Sequence, residues 1–315
     1  MLAPRDSFPA QLMFEAIKAE LTDRIIRVHG EKGRQWLRHV AALIAECETR
    51  WSLELDNPFA ELSYNLVIPG RTATGDEIVL KLGVPCRELT TEALALRCFA
   101  GDGAVVLIDS DTEIGALLLQ RVVPGTFLHE SLSEESSIVT AAALMRRLWR
   151  DPDNSGSFPT LPEWFSAFDR FQPRDNETLA ALLENAKPIL RDLLAGKQNN
   201  VLLHGDLHHA NILFSSVSGW VAIDPKGVLG NRGYEIGPFM LNMIPREAAD
   251  DHIHQILSKR LSVFARELNT DRKRMARWSF CYSVLSAVWN IEDSEEPAET
   301  VRVAQILQEL CETGH

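Results

Sequence analysis

The stretch VLLHGDLHHANILF, residues 201–214, decides how this chain is interpreted. Within eight positions it places three histidines around one aspartate and one asparagine: His204, His208, His209, Asp206 and Asn211. Three structures are compatible with such a cluster: a histidine-bound metal, a buried histidine-rich turn, or a loop that transfers a phosphoryl group. Each alternative predicts a different protein, and the rest of the chain has to select among them.

The zinc alternative fits this stretch poorly. His204 and His208 are four residues apart, which suits one face of a helix, but Gly205 and the short flanking apolar runs disfavour a helix. No third ligand cluster stands nearby. A buried turn is a stronger explanation for each histidine alone, because a histidine in a turn commonly bonds to backbone carbonyls. It does not explain Asp206 and Asn211.

Phosphoryl transfer explains the acidic and amide side chains together. In kinases, a catalytic-loop Asp accepts the proton of the attacking hydroxyl, and an Asn five positions later helps to hold Mg²⁺. A second Asp follows after a short hairpin and binds the metal that bridges the phosphates. Asp206, Asn211 and Asp224 reproduce this order, with NILF and GWVAID as the hairpin. The histidines then need not bind metal: His204 is interpreted as bracing the loop, and His208 and His209 receive no role.

A kinase also needs a lysine on an upstream strand and a glutamate on the following helix. Lys81 in IVLKLG and Glu92 in TTEALAL meet this requirement, with Lys81 holding phosphates and Glu92 orienting Lys81. Glu88 is the reserve choice, because the phase of a helix is uncertain from sequence. A lone strand lysine is usually an exposed edge residue, so this prediction depends on its combination with the loop.

Composition restricts the class of protein. The 315 residues are 45% hydrophobic and 24% charged, with a net charge of −12, which favours a globular protein and disfavours nucleic acid and anionic membranes as partners. Five scattered cysteines without a C-x-x-C pair predict free thiols. Without a secretory signal or an apolar segment of bilayer length, the predicted location is the cytoplasm.

The order of predicted elements indicates an α+β protein with two parts. The first 50 residues are predicted to be helical, LVIPGRTATGDEIVLKLG to form two strands, and the chain after PGTFL to be mainly helical. Ser131 and Glu134 are expected to form a capping box. No G-x-G-x-x-G or P-loop motif is present, so the turn LSYNLV, residues 62–67, is the candidate phosphate-covering loop. Its backbone amides would come from Ser63, Tyr64 and Asn65.

With these residues in place, the chain resembles the aminoglycoside phosphotransferase superfamily over roughly residues 50–290. The resemblance rests on the motif HGDLHHAN followed by IDP. The stretch GWVAIDPKGVLGNRGYEIGPFMLN is similar to the streptomycin 6-phosphotransferase and hydroxyurea phosphotransferase branch. The resemblance implies a bilobal protein-kinase-like fold, with an antiparallel-sheet lobe over residues 1–122 and a mainly helical catalytic lobe over 123–315. It also implies ATP and Mg²⁺ as cofactors.

The resemblance further implies roles for individual residues. Asp206 takes the position of the catalytic base, Asn211 and Asp224 those of the magnesium ligands, and Lys81 that of the phosphate-binding lysine. The resemblance also places the hinge between the lobes at Gln120, Arg121 and Val122, whose backbone would bind adenine. Three further candidate positions are Lys226, which would neutralise phosphate charge, and Tyr234 and Glu235, which would shape the acceptor side. Each of the last three has an ordinary structural alternative, an ion pair for Lys226 and a turn for the others.

The predicted activity is transfer of the γ-phosphoryl group of ATP to a hydroxyl of an aminoglycoside, aminocyclitol or amino sugar, with a role in antibiotic resistance. Glu292, Asp293 and Glu295 would bind amino groups of a cationic acceptor, or simply form a solvated connector. One alternative is a housekeeping kinase for a neutral sugar, a choline-like alcohol or homoserine, since fold does not determine the acceptor. Another is a catalytically silent binding module. Protein kinase activity is disfavoured, because no A-P-E segment follows DPKG.

Overall fold

A computed structural model describes residues 19–60, 64–152, 155–172, 176–195 and 200–313. The chain forms two compact units, one of residues up to Ala93 together with Val105–Arg121, the other of Leu94–Ala104 together with Val122–His315. Ser63 of the candidate phosphate-covering turn lies outside the described residues. The first unit is built around a sheet, and the second is built mainly of helices.

The first unit is a five-stranded antiparallel sheet covered by a long helix. Its strands are Leu53–Leu55 (β1), Leu66–Thr72 (β2), Glu77–Leu82 (β3), Leu107–Asp111 (β4) and Ala116–Gln120 (β5). They lie in the order β1-β2-β3-β5-β4. The helix is α1, Ala19–Trp51, which kinks at Gly30 where φ is +55°. The prediction of strand, turn and strand around residues 66–82 is confirmed.

The predicted helical start of the chain is confirmed for its described part, and its role is to cover the sheet. Trp36, Leu37 and Val40 recur on one face of α1 and are buried against Leu66 and Leu80 of the sheet. Burial of such apolar surface contributes about 25 cal/mol per Å². Helix α1 is therefore part of the hydrophobic core of the first unit.

The second unit is mainly helical and holds two small sheets. One sheet has the order β6-β8-β9 and the other pairs β10 with β7. These strands are Pro124–Phe127 (β6), Val201–Leu203 (β7), Ile212–Ser215 (β8), Gly219–Ala222 (β9) and Val228–Gly230 (β10). The predicted hairpin of NILF and GWVAID is β8 paired with β9. It returns the chain to the end of β7 after residues 204–211.

Along the chain, the helices of both units alternate with the strands. Helix α2, Arg87–Phe99, links the units along the chain. The remaining helices are α3 (Leu128–Ser131), α4 (Glu134–Leu148), α5 (Leu161–Phe165), α6 (Ala167–Arg170), α7 (Glu177–Ala195), α8 (Gly237–Leu241), α9 (Asp250–Leu268), α10 (Arg272–Glu292) and α11 (Ala298–Thr313). Helix α10 is the most enclosed, because it packs against α7, α9 and α11. Short 3₁₀ turns lie at Ser155–Ser157, His209–Asn211 and Arg232–Ile236.

One predicted cap is wrong. Ser131 is the last residue of α3, and α4 begins at Glu134 with Ser133 as its N-cap, whose Oγ accepts from the Ser136 N–H at 3.4 Å. The spacing from Ser131 to Glu134 matched a capping box, but the chain between them turns to join two helices. The five cysteines are thiols that form no disulfide with one another, as predicted. Among the described residues, no helix has the length and apolar character that crossing a bilayer requires.

Candidate active site

Lys81 and Glu92 form a buried ion pair in the first unit. Lys81 lies on the central strand β3, and its Nζ donates to Glu92 Oε1 at 2.7 Å and to Oε2 at 2.8 Å. The two residues are only 3% and 5% exposed. Glu88, one turn earlier on α2, is exposed, so the phase of the helix selects Glu92. A buried lysine needs such a partner, because an isolated ammonium would lose its hydration without compensation.

The backbone expected to bind adenine follows β5. The Gln120 N–H donates to Val106 O at 2.9 Å, and the Arg121 N–H donates to Glu77 O at 3.1 Å. The Arg121 side chain pairs with Glu77 Oε2 at 2.9 Å. The Val122 N–H has no acceptor within the described residues. Among these three amides, that of Val122 is the one available to a ligand.

The loop after β7 carries Asp206 and is held by Asn211. Asn211 Nδ2 donates to the carbonyl of Asp206 at 2.9 Å, which closes the loop between the strand and the 3₁₀ turn. Gly205 precedes Asp206 with φ at +85°. A Cβ at this position would lie 3.0 Å from the Trp164 ring and 3.1 Å from Val228. Glycine is therefore required both by the left-handed backbone and by the close packing behind the loop.

His204 braces this loop with both ring nitrogens. Nδ1 accepts from the Asp206 N–H at 3.2 Å, so the proton lies on Nε2, which donates to Ile223 O at 2.8 Å. Burial lowers the pKa of His204 to about 3, which keeps the ring neutral and preserves this tautomer. The side chain thus joins the Asp206 loop to the end of the β9 segment.

The segment IDPKG, residues 223–227, is hydrogen-bonded along the same loop. The Ile223 N–H donates to Asn211 O at 3.0 Å, and the Lys226 N–H donates to His204 O at 2.8 Å. Asp224 has a left-handed backbone with φ at +58°, which is unusual outside glycine and frequent at functional sites. These bonds bring the segments of Asp206, Asn211 and Asp224 together within the second unit.

Glu235 supports the loop from beneath and is fully buried. Its Oε2 accepts from the His204 N–H at 2.9 Å, and its Oε1 accepts from the Gly205 N–H at 2.8 Å. Burial raises the pKa of this carboxyl to about 7, although the two N–H bonds act in the opposite direction. The structure therefore places Glu235 behind the loop, as a support for the residues next to Asp206. The sequence signal for this supporting role was an acidic residue, Glu235, inside the otherwise apolar segment GYEIG.

Tyr234 lies in a cluster of aromatic rings. Its ring is 5.8 Å from that of Trp164 and 5.4 Å from that of Tyr282, both nearly edge-on. Burial raises the pKa of Tyr234 well above its usual value, so the hydroxyl stays protonated. Trp164 in turn meets Trp289 of α10 at 5.6 Å. No local sequence pattern links the two tryptophans, because they are 125 residues apart in the chain.

The two unassigned histidines have separate environments. His208 caps the 3₁₀ turn, accepting from the Ala210 N–H at 3.2 Å, and its Nε2 lies 3.8 Å from Asp206 Oδ1. His209 is buried and stacks on Phe239, with ring centroids 3.8 Å apart. Within the described ranges, no three His, Cys, Asp or Glu side chains gather into a metal-binding group. His208 thus contributes a hydrogen bond to the 3₁₀ turn, and His209 contributes ring packing on Phe239.

The acidic residues of the 290–300 segment lie at the end of α10. Asp293 is the C-cap residue of the helix, and its N–H donates to Trp289 O at 2.9 Å. Glu292, Asp293 and Glu295 are all exposed. They adjoin the turn of α10 that carries Trp289.

Comparison with solved structures identifies the fold. A choline kinase from Streptococcus pneumoniae superimposes with a TM-score of 0.65 at 12% identity, covering 86% of this chain and 99% of that one. An aminoglycoside phosphotransferase crystallised with ADP and hygromycin B gives a TM-score of 0.63 at 12% identity, covering 86% and 98%. The fold is the protein-kinase-like fold, with an antiparallel sheet in one unit and mainly helices in the other, as predicted.

Relatives of higher similarity identify the family. The streptomycin 6-kinase of Streptomyces griseus is 30% identical over 280 residues, which cover 87% of this chain and 90% of that protein. The hydroxyurea phosphotransferase of Kitasatospora aureofaciens is 31% identical, covering 92% and 85%. Residues 50–294 match the family described as aminoglycoside/hydroxyurea antibiotic resistance kinase. The chain belongs to this family of kinases.

Proposed function

We propose that this kinase transfers the γ-phosphoryl group of ATP to a hydroxyl of an aminoglycoside, aminocyclitol or amino sugar and thereby confers antibiotic resistance in the cytoplasm. The observation that carries the proposal is the hydrogen-bonded union of the Asp206 loop with the segment of Asp224. Relatives named as streptomycin 6-kinase and as hydroxyurea phosphotransferase support a small-molecule acceptor. A net charge of −12 favours a polar or cationic acceptor over anionic partners.

The nucleotide would be bound mainly by residues of the first unit. Lys81, held by Glu92, would contact the phosphates, where a compact ammonium is an effective point charge. The Val122 N–H and the neighbouring backbone of Gln120 and Arg121 would bind adenine. In this arrangement Glu92 does not touch ATP, and its function is to keep the lysine in place.

Asn211 and Asp224 fit a magnesium ion by the chemistry of their donors. Mg²⁺ prefers oxygen ligands and is usually bound by one or two protein oxygens together with phosphate oxygens and water. The bond from Asn211 Nδ2 to the loop carbonyl fixes the side chain and leaves its amide oxygen for a cation. When bound, the ion would neutralise phosphate charge. Lys226 is positioned by its backbone bond to His204 O and would add positive charge on the same side.

Asp206 would act on the acceptor. Its carboxylate orients the hydroxyl and accepts its proton as the oxygen forms a bond to the γ-phosphorus, while the bond to the β-phosphate oxygen breaks and ADP leaves. The phosphoryl group passes directly, without a covalent enzyme intermediate. His204 and Glu235 hold the loop backbone, so the carboxylate is positioned before substrate binds.

The choice of acceptor separates this proposal from a housekeeping kinase. The test measures ADP release with streptomycin, hydroxyurea, choline, homoserine and a neutral cyclitol, each with and without Mg²⁺. We expect Mg²⁺-dependent turnover with the aminocyclitol-containing acceptor. Turnover with choline or homoserine alone would establish the housekeeping alternative.

The Asp206→Ala variant tests the mechanism. We expect phosphoryl transfer to fall by at least about 1,000-fold, since the proton acceptor is lost, while ATP binding stays within a few-fold of wild type. His129→Ala, a surface substitution outside the loop, is the control. Wild-type-like activity in Asp206→Ala would overturn the mechanism, and ATP binding without turnover of any acceptor by the wild-type chain would establish a silent binding module.

A further inference from the structure

Two half-buried tryptophans of the second unit are in contact, and one of them, Trp164, stands next to the loop that carries Asp206. The six-membered ring of Trp164 packs on Gly205, the residue before Asp206, where a Cβ would lie 3.0 Å away. Trp289 meets Trp164 at 5.6 Å with an interplanar angle of 82°. Both keep part of their surface open, unlike Trp278, which is fully buried. Large amphipathic rings that are exposed beside a reactive group commonly serve recognition.

The position of Trp164 is fixed by its surroundings. Helix α5 starts at a capping box in which Thr160 and Glu163 satisfy each other's backbone N–H groups. Behind the Trp164 ring lies Tyr234, which is fully buried and surrounded by further aromatic residues. Inward movement of Trp164 is blocked by these rings. The surface that it presents beside Asp206 is therefore preorganised.

The charge around Trp289 favours a positively charged ligand. Trp289 lies in the last turn of α10, where the unsatisfied carbonyl groups of a helix carry partial negative charge. The chain continues with Glu292, Asp293, Glu295 and Glu296, all exposed. An aromatic face attracts cations by itself, and nearby carboxylates strengthen that attraction.

We propose that Trp164 and Trp289 form an aromatic wall that binds a cationic nitrogen group of the acceptor and so sets its hydroxyl against Asp206. This assignment rests on the proposed phosphotransferase function and adds its specificity determinant. The wall holds the ligand by stacking, while the acids at the end of α10 supply long-range attraction. A neutral alcohol lacks both interactions and would bind through its hydroxyl groups alone.

The experiment measures streptomycin binding by calorimetry in the Asp206→Asn background, where turnover does not interfere. We expect Trp164→Leu and Trp289→Leu each to raise the Kd about 5- to 30-fold, and Trp164→Phe to stay within about 3-fold because a ring is kept. Trp220→Leu is the matched control, since this half-buried tryptophan packs on Phe214 of the β8–β9 hairpin. It should leave the Kd unchanged.

Equal weakening by Trp164→Phe and Trp164→Leu would overturn the wall, because loss of packing alone would explain both. An unchanged Kd in both leucine variants, or binding of a neutral cyclitol but no cationic aminocyclitol to Asp206→Asn, would also overturn it. Thermal unfolding of each variant verifies folding, and a variant that fails to fold is replaced by its Phe counterpart. Failure of the proposed function gives a different result, namely no Mg²⁺-dependent turnover of any aminocyclitol-containing acceptor by the wild-type chain.

Discussion

Two ion pairs, one in each unit, each contain a buried cation and use it for different purposes. Lys81 in the first unit donates to both carboxylate oxygens of Glu92. Arg260 in the second unit donates through Nε to Glu134 at 2.6 Å, and through Nη1 to the carbonyls of Phe239, Met240 and Asn242. Both cations are nearly inaccessible, with exposures of 3% and 1%.

The difference lies in what each cation bonds to. The bonds of Arg260 fix the path of the backbone at the end of α8, and Glu134 ties that point to the start of α4. The bonds of Lys81 fix the position of a side chain on a central strand. A rigid, multidentate guanidinium suits the first task, and a compact ammonium that can also contact phosphate suits the second. A buried cation by itself therefore does not indicate a catalytic site.

Removal of Arg260 is expected to have the largest effect, and that effect is on stability. Arg260→Met leaves Glu134 without its buried cation and three carbonyls without a donor, which we expect to destabilise the protein by about 3–5 kcal/mol. Thermal and urea unfolding would measure this loss, while the KM for ATP of the folded fraction should not change. A melting temperature of Arg260→Met within 2 °C of wild type would contradict the structural role assigned to the Arg260 pair.

Removal of Lys81 is expected to act mainly on catalysis. Lys81→Met should lower kcat/KM about 100- to 1,000-fold, because charge stabilisation of the transferring phosphoryl group is lost. Its melting temperature should fall less than that of Arg260→Met, since the flexible Met side chain fills the space of the lysine. Steady-state kinetics and thermal unfolding of both variants, measured in parallel, test this order. A melting temperature of Lys81→Met as low as that of Arg260→Met, together with kcat/KM close to wild type, would assign Lys81 a structural role.

Glu235 sharpens the comparison, because this buried carboxylate is stabilised by backbone N–H groups. Its pKa is raised to about 7 from an ordinary value of 4.5, so between these pH values the folded chain binds a proton more tightly than the unfolded chain. Protonation thus adds folding stability at low pH, and this contribution is lost as the pH rises from about 4.5 to 7. The ionised form, in contrast, is the one that accepts from both loop N–H groups.

Turnover should therefore decrease as the pH falls below about 7, although the fold gains stability from the same proton. In Glu235→Gln we expect kcat to be about 10-fold lower than in the wild type, because the glutamine amide N–H would face a loop N–H. We also expect the kcat of this variant not to decrease between pH 7 and pH 5. The pH profile of kcat at saturating substrates and the pH dependence of unfolding would measure both. An unchanged acid limb in Glu235→Gln would show that another group controls it.

The stretch of residues 201–214 shows what could be predicted from local spacing. Asp206, Asn211 and Asp224 lie within one loop and one hairpin, so their order along the chain nearly determines that they come together. Lys81 was predicted as part of that set, and the first 50 residues were correctly predicted to be helical over the part that the structure describes. The prediction of the Ser131 cap was wrong because the helix begins directly after Ser133, and local spacing does not show which of two nearby serines precedes the first helical residue.

The sequence by itself determined the fold class, the family resemblance and the candidate residues of the loop, because these depend on residue types at short, fixed separations. Only the tertiary structure decided that Glu92 rather than Glu88 pairs with Lys81, that Glu235 lies beneath the loop, and that Arg260 is structural. It also brought Trp164 and Trp289 together. These contacts join residues that are far apart in the chain or depend on helix phase, and both are set by packing of whole elements, which no local spacing encodes.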